Sequence, residues 1–246
     1  MTPAIRAHPS PNHGDRKGRE VGWVVLHYTG MRSGDESLSR LCDPAAQVSA
    51  HYFIDEDGAV TQLVPEDRRA WHAGAGCWRG ERDMNSVSIG IELQNPGHEF
   101  GYRPFPDAQI EALCALLADV LDRNVLTPDR VIGHSDLAPE RKCDPGELFP
   151  WEKLARRGLA LPSPRPPRHA PPMGAAGVRA CLSLIGYEVG RGPGWDRRTR
   201  AALAAFQRRW RPERVTGAAD AGTTARLVAV AARAAALDGD PRLADI

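Results

Sequence analysis

A proline-rich segment divides the chain and most limits how it can fold. Residues 161–172 read LPSPRPPRHAPP and hold six prolines in twelve positions. Proline lacks a backbone N–H and has a fixed φ, so this segment cannot enter a helix or a sheet core and forms a stiff, extended linker. We therefore predict a first domain over residues 1–160, a linker over 161–173 and a second domain over 174–246.

The two predicted domains differ in charge, which supports the division. Residues 1–160 hold 18 Lys+Arg against 24 Asp+Glu, a net charge of −6, whereas residues 174–246 hold 12 Arg against 7 acids, a net charge of +5. The whole chain has a formal net charge of +1. Such a balance argues against a protein that binds nucleic acid through bulk charge, so we expect no nucleic-acid partner.

The N-terminal residues and the cysteines bear on location. The first twenty residues contain no apolar run of the length that a signal peptide needs, and no segment approaches the roughly 20 apolar residues of a membrane span. The five cysteines are scattered and form no CxxC pair, which argues against a disulfide framework or a Cys₄ zinc site. We expect a cytoplasmic monomer without a membrane span, and a periplasmic or outer-membrane protein if the true start carries a signal.

Alternating strands and helices predict an α/β fold on one mixed sheet for the first domain. Residues 21–30 (VGWVVLHYTG) and 86–95 (SVSIGIELQN) read as strands, with His27 near the end of one and Glu92 on the polar face of the other. An Asp-Gly turn in DEDGAVTQLVP predicts a hairpin, and RVIGH predicts a short strand that ends at His134.

Helical patterns complete the picture. Residues 106–124 (PDAQIEALCALLADVLDRN) carry apolar side chains at helical spacing, and residues 44–55 (PAAQVSAHYFID) are interpreted as a short helix feeding a strand. Beyond the linker, three amphipathic segments predict a small three-helix module with Leu184, Phe206 and Leu227 in its core.

Ionisable side chains at predicted strand ends suggest a metal site. His134 and Asp144 lie ten residues apart in GHSDLAPERKCDPG, a loop that can curl to place both on one ion, and His27 would add a third ligand from a neighbouring strand. Two histidines and one carboxylate leave a fourth tetrahedral position for water, the pattern of a catalytic zinc ion. Solvated or structural side chains remain the alternative interpretation.

Other residues are candidates for supporting roles. Lys142 lies two residues before Asp144, so in an extended segment its ammonium would face the metal and stabilise an oxyanion; an ordinary surface lysine is the alternative. Trp71, His72 and Asn85 are candidates for binding substrate, with a packed turn as the equal alternative for the AWHAG residues. His51, in an apolar context, is interpreted as a hydrogen-bonded core histidine.

Five motifs occur in order over residues 20–160 and together resemble one family. They are VLHYTG, VSAHYFIDEDG, LVPEDRRAWHAG, SIGIELQN and GHSDLAPERKCDPGELFPW. This set resembles the zinc-dependent N-acetylmuramoyl-L-alanine amidases of the type-2 amidase family, and within it the AmpD/AmiD-like branch. The resemblance implies a mixed sheet flanked by helices, the fold shared with peptidoglycan-recognition proteins, and one Zn²⁺ per chain.

The resemblance also implies roles for individual residues. His27, His134 and Asp144 match the zinc ligands, Glu92 the catalytic carboxylate, and Lys142 the lysine beside the metal. Phage members of the family carry a tyrosine where Ala50 stands here and a cysteine as third ligand, so both positions favour the AmpD/AmiD side. LSLIGYEV, DRRTRAALAAFQRRWRP and TGAADAGTTARL more loosely resemble a peptidoglycan-binding three-helix domain.

The expected function is that of a hydrolase in peptidoglycan turnover and cell wall degradation. The implied reaction cleaves the amide between the (anhydro-)N-acetylmuramoyl lactyl group and L-alanine of the stem peptide, most consistently in muropeptide recycling, with peptidoglycan fragments as partners. An envelope amidase acting on intact peptidoglycan, and a non-catalytic peptidoglycan-binding sensor, are the alternatives. A non-haem iron oxygenase would use His134-Ser-Asp136 as an HxD dyad and needs a further downstream histidine, for which only His169 is present.

Overall fold

The computed structural model describes residues 4–168, 170 and 172–239 of the chain. His169, which the iron alternative requires, lies outside the described residues, as do Pro171 of the predicted linker and the C-terminal residues 240–246. The chain separates into two compact units. The first comprises Met1–Gly76, Asp83–His134 and Asp144–Pro162, and the second comprises Cys77–Arg82, Ser135–Cys143 and Ser163–Ile246.

The first unit is built on a six-stranded mixed sheet. Its strand order is β1-β5-β4-β7-β3-β8, in which β4 and β5 are antiparallel and the other neighbouring pairs are parallel. A separate antiparallel pair joins β2 to β6. The strands are β1 (Ile5–Ala7), β2 (His13–Asp15), β3 (Trp23–Tyr28), β4 (Tyr52–Ile54), β5 (Val60–Gln62), β6 (Arg68–Ala70), β7 (Ser88–Leu93) and β8 (Val131–Gly133).

Helices flank this sheet and are short apart from one. The 17-residue α4 follows Pro106, which suits the start of a helix, and it buries a stripe of apolar side chains. The helices of this part of the chain are α1 (Gly34–Cys42), α2 (Met84–Val87), α3 (Gly97–Phe100), α4 (Asp107–Arg123), α5 (His134–Leu137) and α6 (Trp151–Ala155). The predicted mixed sheet flanked by helices is confirmed.

Alternation along the central strands separates a core face from a polar face. On β3, Val24 and Leu26 belong to the main apolar core together with Ile89 and Ile91 of β7 and side chains of α4. Successive side chains of a strand point to opposite faces, so His27 lies on the other face of the sheet. The alternation of SIGIELQN predicted this division for β7, whereas the continuous apolar run of β3 predicted only a buried strand.

Of the helix and strand predicted for residues 44–55, the strand is present as β4 and the helix is wrong. The structure has a turn at residues 44–46 and extended chain up to β4, and the helix lies earlier, in α1. Ser33 caps that helix by accepting a hydrogen bond from the backbone N–H of Glu36, and Asp43 precedes Pro44, a position that disfavours helical φ and ψ.

Within the described residues, the second unit contains most of the short α5 and three longer helices, α7 (Ala175–Ile185), α8 (Arg197–Trp210) and α9 (Ala221–Gly239). Phe206 and Leu227 are fully buried, as predicted, but Leu184 is 53% exposed. Leu182, two positions before Leu184 on the helix, is the residue buried in the core. None of the helices within the described residues is long and apolar enough to cross a membrane.

A buried polar contact within this unit involves Asp136. Its Oδ1 accepts a hydrogen bond of 2.5 Å from the Tyr187 hydroxyl, and Arg209 lies 3.5 Å from its Oδ2. All three side chains are buried, and Tyr187 packs edge-to-face against Trp78. Burial, followed by the charge of Asp136, raises the pKa of Tyr187 well above its usual value, so the phenol remains a donor at neutral pH.

Candidate active site

Two histidines and one aspartate converge at one edge of the sheet. His27 lies near the end of β3, and His134 directly follows β8, the neighbouring parallel strand. His27 Nδ1 lies 2.9 Å from His134 Nδ1 and 3.1 Å from Asp144 Oδ2, and His134 Nδ1 lies 3.0 Å from the same oxygen. All three residues are buried, and together they form a group that can hold a metal ion.

The aspartate is stabilised as a carboxylate. Burial alone would raise the pKa of Asp144, but the charge and hydrogen bond of His134, with a further contribution from His27, hold the pKa below its usual range. A carboxylate, rather than a carboxylic acid, is the form that binds a metal.

Glu92 lies beside this group on the polar face of the sheet. In the parallel pairing of β3 with β7, Glu92 is the register partner of His27. Neighbouring strands lie about 4.8 Å apart and register partners share a face, so the carboxylate and the imidazole lie on the same side of the sheet. Glu92 is only half-buried. A carboxylate in this position can exchange a proton with a group bound at the three converging side chains.

Lys142 belongs to the segment that precedes Asp144. Its backbone N–H donates to the carbonyl of Ala138, which closes a turn, and its side chain is half-buried. Cys143 and the other four cysteines do not form disulfide bonds. Asp136, the acid of the GHSD motif, is not part of the metal-holding group. Its carboxylate accepts a hydrogen bond from the Tyr187 hydroxyl.

The three candidates for substrate binding differ in exposure. Trp71 is half-buried, whereas His72 and Asn85 are each 8% exposed. The backbone N–H groups of His72 and Ala73 donate to Asn85 Oδ1, at 3.0 and 2.8 Å. His72 Nδ1 lies 3.0 Å from His27 Nε2. The substrate-binding role of all three residues stays a prediction.

Sequence reasoning missed two residues that shape this region, Gly90 and Ser88 of β7. A Cβ atom at Gly90 would lie 2.4 Å from the His72 ring, and Ser88 Oγ lies 3.3 Å from His72 Nε2. A glycine in the interior of an apolar strand often marks a close approach of another group, and SIGIEL carried that signal.

His51 is a fully buried histidine behind the site, as its apolar context predicted. Its Nδ1 accepts the backbone N–H of Gly90 at 2.9 Å, and its Nε2 lies 3.0 Å from the carbonyl of Arg68. Burial, followed by the charge of Arg16, lowers the pKa of His51 from 6.5 to about 3.

The free energy of unfolding is therefore expected to fall as the pH falls from 6.5 towards 3. In that window the unfolded chain binds a proton at His51 that the folded chain does not, which costs about 1.4 kcal/mol per pH unit. Urea unfolding at pH 7, 6, 5 and 4 measures this slope. His51→Asn should reduce the slope by that amount, and equal slopes for the two proteins would contradict the assignment.

The fold and the site define an α/β protein with a group that can hold one metal ion. The model of the Amidase_2 family, described as N-acetylmuramoyl-L-alanine amidase, matches residues 17–147. The chain belongs to this family, and it is an amidase of peptidoglycan turnover.

Three known proteins illustrate the relationship. The chain is 39% identical over 222 residues to the N-acetylmuramoyl-L-alanine amidase AmiD of Escherichia coli, across 82% of this chain and 79% of that protein. It is 40% identical over 176 residues to the 1,6-anhydro-N-acetylmuramyl-L-alanine amidase AmpD of Citrobacter freundii, across 64% and 91%. The structure of E. coli AmiD with its substrate anhydro-N-acetylmuramic acid-L-Ala-D-γ-Glu-L-Lys superimposes with a TM-score of 0.77 at 34% identity, across 95% and 93%.

Proposed function

We propose that this chain is a zinc-dependent amidase that cleaves the bond between the muramoyl lactyl group and L-alanine with Glu92 as its proton-transfer group. The observation that carries the proposal is the convergence of His27, His134 and Asp144 beside Glu92. Family membership supplies the reaction, and this arrangement supplies side chains suited to performing it.

The donor set fits a zinc ion. Two imidazole nitrogens and one carboxylate oxygen are the ligands of many catalytic zinc sites. Ligand atoms that surround a tetrahedral ion at about 2.0 Å lie roughly 3.3 Å apart, close to the 2.9–3.1 Å separations between the donor atoms here. We propose that these three side chains hold the ion, and that the bound ion acts as a Lewis acid on water and on the scissile carbonyl.

Glu92 would then transfer protons, and Lys142 would stabilise the developing negative charge. Glu92 accepts a proton from the attacking water and returns one to the leaving amine of L-alanine, so one carboxylate serves both halves of the reaction. The Lys142 ammonium donates hydrogen bonds to the oxygen on which negative charge develops. Neither role requires a covalent enzyme intermediate.

Lys142→Ala is expected to lower kcat by about 10²-fold, because one donor to the developing oxyanion is lost. Zinc content should be unchanged, since Lys142 is not among the proposed ligands. Steady-state kinetics on a muropeptide, together with metal analysis, measure both effects. Lys142→Arg, which keeps the charge, should recover part of the rate; a kcat for the alanine variant equal to wild type would contradict the role.

The function is tested by combining metal analysis with product analysis. The full chain is incubated with anhydro-N-acetylmuramoyl peptides and, separately, with intact sacculi, and the products are identified by mass spectrometry. We expect one zinc per chain and release of free stem peptide, which stops after exhaustive chelation and resumes with added zinc. Full activity of the chelated, metal-free chain would overturn the zinc proposal. Binding without cleavage would instead identify a sensor, and bound iron an oxygenase.

We further propose that the natural substrates are anhydro-muropeptides and that the enzyme recycles them in the cytoplasm. Two relatives support this: the name of AmpD specifies the 1,6-anhydro sugar, and the substrate in the AmiD complex is an anhydro-N-acetylmuramic acid peptide. Faster turnover of the soluble anhydro-muropeptide than of sacculi is the expected result. Preference for sacculi would favour an envelope enzyme.

The domain division is proposed as residues 1–160 for catalysis, 161–173 as linker and 174–246 as a peptidoglycan-binding-like domain. The extent of the relatives supports it: AmpD of C. freundii aligns with 64% of this chain, whereas AmiD of E. coli aligns with 82%. A pull-down of residues 174–246 fused to a carrier protein with isolated sacculi tests the binding role, and failure to sediment with sacculi would argue against it.

A further inference from the structure

Both proposed histidine ligands direct their second ring nitrogen at the same short segment. His27 Nε2 lies 3.0 Å from His72 Nδ1, and His134 Nε2 lies 2.9 Å from the carbonyl oxygen of Ala73. The two acceptors are consecutive in the chain. We call His72–Ala73 the support segment.

The direction of each hydrogen bond can be worked out from groups that have only one possible role. The carbonyl of Met84 can only accept, so the Ser88 hydroxyl donates to it. The hydroxyl therefore accepts from His72 Nε2–H, and the neutral His72 ring is left with an unprotonated Nδ1. That nitrogen accepts from His27 Nε2–H.

His134 is fixed in the same way by a simpler contact. The Ala73 carbonyl can only accept, so His134 carries its proton on Nε2. In both ligand histidines Nε2 thus carries a proton that the support segment accepts, and both Nδ1 atoms lie within 3.1 Å of Asp144 Oδ2. The support segment selects the tautomer that can bind a metal through Nδ1.

The support segment is itself fixed by hydrogen bonds to the Asn85 side chain. Asn85 Oδ1 accepts the N–H groups of both His72 and Ala73, so one side-chain oxygen fixes two consecutive peptide units. Because both partners are donors, the amide orientation of Asn85 is determined. Gly90 provides the space for the His72 ring, since a Cβ atom there would lie 2.4 Å from it.

We propose that His72 and Asn85 are positioning residues that pre-organise the two histidine ligands for zinc. This inference rests on the proposed zinc site. It goes beyond that site because the residues proposed to orient both histidine ligands do not themselves contact the ion. Outer hydrogen-bond partners of metal ligands typically contribute 10- to 100-fold to metal affinity. A substrate contact, the role expected from sequence, would instead change KM and leave zinc affinity alone.

The test uses two pairs of variants of the full chain. His72→Phe keeps a ring but removes the acceptor, whereas His72→Asn keeps an acceptor near the position of Nδ1. Asn85→Ala removes the shared oxygen, whereas Asn85→Asp retains it. His8→Asn removes an exposed imidazole far along the chain from the support segment and serves as the matched control.

Zinc dissociation constants are measured by competition with a chromophoric chelator, and kcat and KM are measured with zinc saturating. We expect His72→Phe and Asn85→Ala to bind zinc 10- to 100-fold more weakly, His72→Asn and Asn85→Asp to recover most of that loss, and His8→Asn to match wild type. Wild-type zinc affinity in His72→Phe and Asn85→Ala, whether or not KM rises, would overturn the inference.

A measurement on the wild-type chain keeps the test independent of how the variants fold. Nitrogen-15 NMR of the metal-free protein distinguishes the two histidine tautomers, and we expect His27 and His134 to carry the proton on Nε2. An unprotonated Nε2 in either histidine would contradict the inference. If the wild-type chain bound no zinc, the proposed function would fail as well; if it bound zinc and cleaved substrate while the variants behaved as wild type, only this inference would fail.

Discussion

Glu92→Gln is expected to reduce kcat by about 10³-fold while leaving one zinc bound per chain. Glutamine has nearly the same shape as glutamate but cannot accept the proton of the attacking water or return one to the leaving amine. Glu92 is the register partner of His27 rather than a member of the metal-holding group, so its replacement should not remove a ligand. Single-turnover kinetics on an anhydro-muropeptide, with zinc quantified by mass spectrometry in the same preparation, measure both quantities.

Glu99→Gln is the matched control for this experiment. Glu99 is an exposed carboxylate on α3 and has no part in the proposed mechanism, so its variant should turn over at the wild-type rate. Turnover of Glu92→Gln within a few fold of wild type would show that another group transfers the proton. Loss of zinc from Glu92→Gln would show that the carboxylate helps to hold the ion.

Asp144→Asn is expected to lose both zinc and turnover. The substitution replaces the only anionic ligand of the group with a neutral amide of the same shape. Without that negative charge the ion is bound more weakly, and loss of the Lewis acid corresponds to several kcal/mol of transition-state stabilisation, a rate reduction of at least about 10³-fold. Zinc content after dialysis against a weak chelator, followed by kinetics with and without added zinc, checks the two effects separately.

Asp129→Asn provides the comparison for the aspartate variant. It removes a carboxylate outside the metal-holding group, so zinc content and turnover should match wild type. Added zinc in large excess should restore part of the activity of Asp144→Asn if weakened binding is the cause. Stoichiometric zinc and normal turnover in Asp144→Asn would remove this residue from the ligand set.

The pattern of single strands was sufficient to predict which side chains share a face. The strand period placed His27 on the same face of its strand as Trp23 and Val25, and it placed Glu92 on the polar face of SIGIELQN. In the structure the two residues are register partners, so they lie on the same face of the sheet. That these two residues are register partners could not be predicted, because the order of strands in a sheet depends on long-range packing. Local periodicity carries no information about which strands are neighbours.

The errors have equally local causes. Residues 44–55 were expected to begin with a helix, but the helix lies earlier, at Gly34–Cys42. Ser33 and Glu36 are the N-cap and N3 residues of that helix, a typical start signal. Leu184 was placed in the core of the helical module because it is apolar, but the helix turns Leu182 inward and leaves Leu184 exposed. Two positions along a helix, a rotation of about 200°, place these two leucines on nearly opposite sides of it.

The sequence left two interpretations of His72 open, a substrate groove and a packed turn. Its neighbours Gly74 and Gly76 are compatible with both. The ring is buried because Gly90, a residue eighteen positions later, leaves room for it. Glycines can therefore have two different structural roles. Gly74 and Gly76 belong to a loop, whereas Gly90 lets a side chain pack directly against a strand.

The contact between Tyr187 and Asp136 bears on how such enzymes can be re-engineered. Asp136 follows His134 by two residues, but its hydrogen-bond donor, the Tyr187 hydroxyl, lies after the proline-rich segment in the sequence. Replacing α7–α9 with foreign helices would therefore remove both the Tyr187 hydroxyl and the Arg209 guanidinium from a buried carboxylate, and loss of the hydroxyl alone would cost about 1–3 kcal/mol. A stable chimera would need either an equivalent donor from the new helices or an uncharged residue in place of Asp136.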